Sequence, residues 1–133
     1  MNETPPAGKA LSISVILLSF MFAGLGILFV AAPVPAARFY GIDAGSPPGL
    51  FYVRAVGFRD VALATYLLGL TLARQFRALS IMMFATLVIP VGDLFLLAAS
   101  GGAQPIHYCL HAASLLCFAG MACWTRRSAR STD

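Results

Sequence analysis

Four long apolar runs, each closed by proline, glycine or arginine, dominate the pattern of this chain. A helix needs about 20 predominantly apolar residues to cross the hydrocarbon core of a bilayer, and each run has that length. The first extends from Leu11 to Ala32 and is stopped by Pro33 and Pro35. The second follows Ser46-Pro47-Pro48-Gly49 and extends from Leu50 to Ala73. There Ser46 is a fitting cap and Pro47 a fitting first-turn residue. The third spans Leu79 to Ala99 and ends at Ser100-Gly101-Gly102. The fourth opens at Pro105, again a first-turn proline, and ends at Trp124 before Arg126 and Arg127. The pattern predicts an all-α integral membrane protein with four transmembrane helices in a bundle, at about 11–32, 47–73, 79–99 and 105–125.

Composition agrees. Of 133 residues, 59 % are hydrophobic and 11 % charged, against roughly 25 % charged in soluble domains, too few to cover a water-facing surface. One membrane domain, 11–125, is expected between tails at 1–10 and 126–133. The net charge of +4 does not signal nucleic acid, because the positive residues lie at segment ends, not in a patch interleaved with aromatics. Their placement sets an orientation instead. Lys9, Arg74, Arg77, Arg126, Arg127 and Arg130 share one side of a four-span topology, and the opposite connections hold only Arg38. Both termini are therefore expected in the cytoplasm, with the protein in the cell membrane. Trp124, Tyr40 and Tyr52 fall where an aromatic belt would place them. The connection from Pro33 to Gly49 carries Phe39 and Ile42 and is expected to lie on the membrane surface. Cys109, Cys117 and Cys123 lack CxxC spacing and read as small apolar packing residues.

Against this background six ionisable residues stand out. A charge at mid-bilayer costs roughly 2.5–3.5 kcal/mol on insertion scales, yet the runs contain Arg54, Arg59, Asp60, Asp93, His107 and His111. With alternating helix directions all six fall in the same half of the membrane. At about 100° per residue, Arg54, Gly57, Asp60 and Ala64 share one face, where Gly57 and Ala64 permit close helix approach. Arg59 points off that face. Asp93 shares a face with Thr86 and Pro90, and His111 continues from His107 to Ser114 and Phe118. Pro90 also frees a backbone carbonyl one turn earlier.

Three readings are open. The two arginines and two aspartates form packing ion pairs; or they line a polar pocket in which Asp60, Asp93 and His111 move protons; or His107, His111 and Asp93 hold a metal, for which a lone His-x-x-x-His is weak evidence. The pocket reading names Asp60, Asp93, His111 and Arg54 as catalytic, with His107, Arg59, Tyr52, Thr86 and Ser114 binding substrate, and calls for no metal or cofactor. Two carboxyls in unlike settings split acid and base roles, and a histidine shuttles between them. There is no phosphate cradle and no nucleophilic Ser or Cys with its base.

The segment Phe39-Tyr40-Gly41-Ile42, together with Tyr52-Val53-Arg54-Ala55-Val56-Gly57-Phe58-Arg59-Asp60, resembles a family of small four-helix bacterial and fungal membrane proteins classed as a domain of unknown function and distantly similar to DoxX-like proteins. The resemblance covers residues 11 to 125. It implies a four-helix bundle with Arg54, Gly57, Arg59 and Asp60 as signature positions, and no settled activity. DoxX association with respiratory oxidoreductase complexes would transfer by analogy only. Three functions follow as expectations: an acid–base enzyme acting on a lipophilic molecule (isomerase, cyclase or epoxide-opening hydrolase), a non-catalytic subunit of a membrane complex, or a proton-coupled transporter. The expected partners are a hydrophobic small molecule or lipid, the membrane, and for a transporter a second copy in a homo-oligomer.

Val34-Pro35-Ala36 imitates a signal cleavage site, but the first apolar run exceeds the roughly 7–15 residues of a signal core. Mass spectrometry of the purified protein is expected to find the first helix retained. A mature amino terminus near Ala37 would overturn this.

Overall fold

The computed structural model describes residues 6–42 and 45–130. Six helices follow in order: α1 (Pro6–Ala31), α2 (Pro33–Tyr40), α3 (Pro47–Leu72), α4 (Phe76–Thr86), α5 (Val88–Ser100) and α6 (Pro105–Arg130). Four spans are long and apolar enough to cross a membrane: Gly8–Ala31, Pro47–Leu72, Phe76–Ser100, which joins α4 to α5, and Pro105–Ala129. No strand occurs among the described residues. The all-α four-span membrane architecture expected from hydropathy is the one observed.

The bundle is organised around an antiparallel α1–α3 pair that touches backbone to backbone. A Cβ built on Gly57 would stand 2.7 Å from the Gly26 carbonyl oxygen, and one on Gly26 would stand 2.6 Å from that of Gly57. Small residues give membrane helices this closeness, because lipid supplies no hydrophobic drive and dispersion grows with proximity. Toward the chain termini, all four spans close over an apolar core of Leu11, Val15, Leu18, Leu63, Leu67, Leu79, Met83, Phe118 and Ala122. A second, smaller cluster of Phe29, Ala36, Ala37 and Val53 packs α2 against α1 and α3 at the opposite end.

Ser46 caps α3 as expected, its Oγ accepting from the Gly49 amide at 3.4 Å. The third span is not one straight helix. Pro90 has no N–H to offer the Thr86 carbonyl, the Leu87 amide turns to Phe84 O at 3.2 Å, and the helix breaks between α4 and α5. The first connection also differs from a surface loop, since Pro33–Tyr40 is helical. Proline is tolerated in a first turn, and Gly41, at φ 91°, closes the C-terminus. Its amide donates to Arg38 O at 3.2 Å, and the Ile42 amide donates to Ala37 O at 3.0 Å, the paired bonds of a Schellman motif. Both terminal spans outrun their apolar stretches. α1 begins at Pro6, and α6 continues past Trp124 to Arg130, with Arg126 lying over the Phe84 ring at 5.9 Å. Hydropathy marks the part of a helix in hydrocarbon, not where its hydrogen bonds stop. The cysteines correct another expectation: Cys109, Cys117 and Cys123 are free and exposed on α6, not packed inside.

The glycine contact yields a paired prediction. Gly57→Ala drives a methyl into the α1 backbone and should destabilise the bundle by roughly 1–3 kcal/mol, the usual cost of overpacking. Gly69→Ala meets nothing within 4 Å and should be neutral or stabilising by up to about 1 kcal/mol from helix propensity. Reversible unfolding in detergent micelles measures both. Equal effects at the two sites would refute the close contact.

Candidate functional site

Above the apolar core the helices separate. α5 packs on α6, while α3 stays with α1, and a cleft of about 420 Å³ opens between the two pairs. Its floor is set by Phe22 and Phe118, whose rings lie 5.2 Å apart. Polar groups from five helices converge on it: Tyr40 from α2, Arg59 and Asp60 from α3, Thr86 from the end of α4, Asp93 from α5, and His111 and Ser114 from α6. The rest of the lining is apolar, including Met21, Leu25, Ile89 and Leu110.

Position along each helix explains the convergence. α5 leaves the Pro90 break with Asp93 one turn further on, facing α6. His111 stands two turns into α6, one turn before Ser114 on the same side. The His111 Nδ1 lies 3.5 Å from Asp93 Oδ2, and its Nε2 lies 3.2 Å from the backbone oxygen of Tyr40. A carbonyl can only accept, so Nε2 carries the hydrogen of that bond. That leaves Nδ1 as the nitrogen facing Asp93, within reach for a proton to pass between the two groups. The Tyr40 ring meets the imidazole edge to face, with centroids 4.4 Å apart, and also meets Phe29 at 5.6 Å. Burial, reinforced by the neighbouring Asp93, holds the Tyr40 hydroxyl above the usual phenol range, with Arg59 opposing. It therefore stays a hydrogen-bond donor at neutral pH.

Asp60, only 5 % exposed, is paired with its sequence neighbour. The Arg59 Nε and Nη2 both approach Asp60 Oδ1 at 3.1 Å. Helical angles place Arg54 on the face of Asp60 and Arg59 off it, yet it is Arg59 that pairs with Asp60. A helical wheel compares Cα directions only, and a guanidinium on a long stem reaches sideways to the next residue. Arg54 is exposed, and its Nε donates to the Val30 carbonyl at 3.3 Å, where a cation complements the C-terminal end of α1.

Six of the expected site residues, Asp60, Asp93, His111, Arg59, Thr86 and Ser114, line the cleft. Thr86 turns its hydroxyl back to Met82 O at 2.7 Å. Three stand elsewhere. Besides Arg54, Tyr52 is 76 % exposed and borders an apolar pocket of about 180 Å³ beside α2, which also includes Phe29 and Tyr40. His107 packs on Gly41, and its Nδ1 accepts from the Gln104 amide at 3.1 Å. This separates it from His111, and among the described residues no three His, Cys, Asp or Glu side chains gather as metal ligands.

Sequence reasoning missed Tyr40, read as an interface aromatic. The structure gives it three roles at once: backbone acceptor for His111, ring partner of the imidazole, and hydroxyl beside Asp93. The signal was present, because Phe39-Tyr40-Gly41-Ile42 was half of the motif that carried the family resemblance.

What the arrangement can do chemically is donate one proton from the Asp93–His111 pair, accept one at Asp60, and orient an oxygen with Tyr40 or Arg59. Among known proteins, no curated protein matches this chain, and no solved structure does. The model of the family described as domain of unknown function DUF4267 matches residues 19–125, so the chain belongs to that family.

Proposed function

We propose that this protein is a small intramembrane enzyme that moves protons on a lipophilic substrate without a cofactor, as an isomerase, cyclase or epoxide-opening catalyst. The observation that carries the reading is the approach of His111 Nδ1 to Asp93 Oδ2 at 3.5 Å, at the wall of a cleft that Asp60 also lines. In a double-bond migration the pair delivers its proton to one carbon of the substrate. Asp60 then removes a proton from another carbon, the double bond shifts, and the sum of protons is unchanged. Return of the proton from Asp60 to the pair completes the cycle. Tyr40 donates a hydrogen bond to a substrate oxygen, and Arg59 holds the Asp60 carboxylate in place. Arg54, bonded to the end of α1, has a structural part in this scheme. The DoxX-like resemblance adds no activity to it.

The orientation proposed is that of the positive-inside bias, with both termini in the cytoplasm and the cleft in the outer half of the cell membrane. A reporter fused after Asp133 that is active only in the cytoplasm should be active. Activity from a periplasmic-type reporter at that position would reverse the assignment.

A second reading has one observation in its favour. α6 leaves a face containing Ala113, Cys117 and Gly120 exposed, which would suit a non-catalytic subunit of a membrane complex. Native mass spectrometry from lipid separates the two, since a monomer or homodimer carrying a small molecule speaks for the enzyme.

The catalytic reading makes a sharper demand. Small molecules that co-purify with the protein are identified, then incubated with it in deuterated water. Wild type should place deuterium at a carbon of the ligand. Asp93→Asn and Asp60→Asn should each slow that exchange by about 10²–10⁴-fold, the usual worth of general acid–base catalysis. Arg54→Gln should leave it within a few-fold. Exchange that survives both aspartate substitutions would end the proposal.

A further inference from the structure

We infer that the cleft takes an uncharged lipophile bearing a single oxygen function (an alcohol, ketone or epoxide), entering sideways from the bilayer, and that it discriminates against carboxylates and amines. The inference names the substrate class of the site proposed above and rests on that site being the place of binding.

The first argument is a count of charge. Arg59 and Asp60 cancel at 3.1 Å. The Tyr40 carbonyl fixes the hydrogen on His111 Nε2, and in the proton-donating form that the proposed reaction uses, one proton lies between Nδ1 and Asp93, which makes that pair neutral as a whole. Tyr40 is an uncharged phenol, and Ser114 and Thr86 are hydroxyls. Arg54 and His107 lie outside the lining. The sum over the cleft is zero, and a carboxylate or ammonium brought into it would have no countercharge left to meet. Burying an unpaired charge is among the most expensive moves in a low-dielectric interior.

The second argument is shape. The charged groups and Tyr40 cluster beside α2, while Met21, Phe22, Leu25, Ile89, Leu110 and Phe118 line most of the remainder. A ligand lying in it has one polar head and an apolar body. The volume of about 420 Å³ falls within the range of roughly 300–1,000 Å³ of pockets that bury small molecules.

The third is the route. Lining residues that are also exposed lie mid-helix on α1 and α6 and at the tip of α2: Met21 at 50 %, Leu110 at 38 % and Phe39 at 53 %, together with Ala113 and Cys117. Exposure at such positions of a spanning helix is exposure to hydrocarbon. The mouth thus opens on the side of the bundle between α1 and α6, where a dissolved lipophile arrives without crossing water and a charged one is scarce.

The test uses the full-length protein in nanodiscs of zwitterionic phosphatidylcholine and three probes of one skeleton: farnesol, farnesoate and farnesylamine. At about pH 8 the acid is ionised and the amine protonated. Saturable binding is read by native mass spectrometry, with empty nanodiscs correcting for partition. Wild type should bind the alcohol roughly 100-fold more tightly than either ion, as expected where a buried charge goes unmatched. Substitutions that unbalance the cleft should invert the ranking. Asp60→Asn leaves Arg59 alone and should favour farnesoate, and Arg59→Gln leaves Asp60 alone and should favour farnesylamine. A merely structural role for this pair would weaken all three probes together. Wild-type binding of either ion as tight as the alcohol, no saturable binding of any probe, or an unchanged ranking in both variants overturns the inference. The ranking and the deuterium exchange are independent readouts. An intact ranking without exchange removes the catalytic reading and leaves the ligand class standing. Exchange without the ranking does the reverse.

Discussion

A backbone carbonyl freed at the end of a helix and kept from water must find a donor, and this constraint organises the polar chemistry of the protein. α1 stops at Ala31, and the Arg54 guanidinium on the neighbouring helix reaches the Val30 carbonyl. α2 stops at Tyr40, and His111 from α6 reaches the Tyr40 carbonyl. At the turn after α3, the chain satisfies itself, with Arg74 in the left-handed region at φ 55° and the Gln75 amide returning to Leu70 O. Two of the six ionisable residues that hydropathy marks as costly are therefore spent on helix ends, which is why an Arg and a His stand where leucine would insert more easily.

His111 serves that need and the site together. Had its Nε2 faced solvent or a hydroxyl, which nitrogen carries the hydrogen of the neutral ring would be undetermined. Facing a carbonyl, the ring has one nitrogen committed and one left for Asp93. The orientation of the ring toward Asp93 is a consequence of where α2 ends, and α2 ends there because Gly41 alone in that segment enters the left-handed region without strain. A backbone rule at one connection thus reaches the chemistry of two other helices.

The four spans, the Ser46 cap and the first-turn prolines were legible because each is a local property of the chain: run length, a side chain that accepts, a ring that pre-sets φ. Pro90 reads in the sequence as a freed carbonyl, and the break into α4 and α5 is what the structure adds. The faces of Asp93 with Thr86 and Pro90, and of His111 with Ser114 and Phe118, were legible for the same reason, since a regular helix fixes angles. What escaped were relations between elements. α2 is only eight residues long and carries two prolines, so its pattern reads as a connection, and it becomes a helix by packing Ala36 and Ala37 on Phe29 and Val53. The Arg59–Asp60 pair escaped because side-chain reach is not an angle. His107 left the stripe shared with His111 because it stands in the first turn of α6, where Gly41 offers a surface without a Cβ. No residue count predicts that encounter.

The position of the cleft follows from which contacts are rigid. Gly26 and Gly57 bring two backbones together, and a backbone contact has no rotamer with which to yield, so α1 and α3 act as one unit near that level. α6 lies with the α4–α5 span, whose helical hydrogen bonding is interrupted at Leu87, one turn before Pro90. Below the break, the Leu79 and Met83 side chains hold α4 in the common core; above it, α5 packs on α6 and leaves the α1–α3 unit. The gap between units must then open on the α1–α6 side and in the half of the bundle beyond Phe22 and Phe118. That half is also where Asp60, Asp93 and His111 stand. Polar groups there face a void and each other, and the same splay that would leave a hole in a soluble core leaves here an open cleft lined by Asp60, Asp93 and His111.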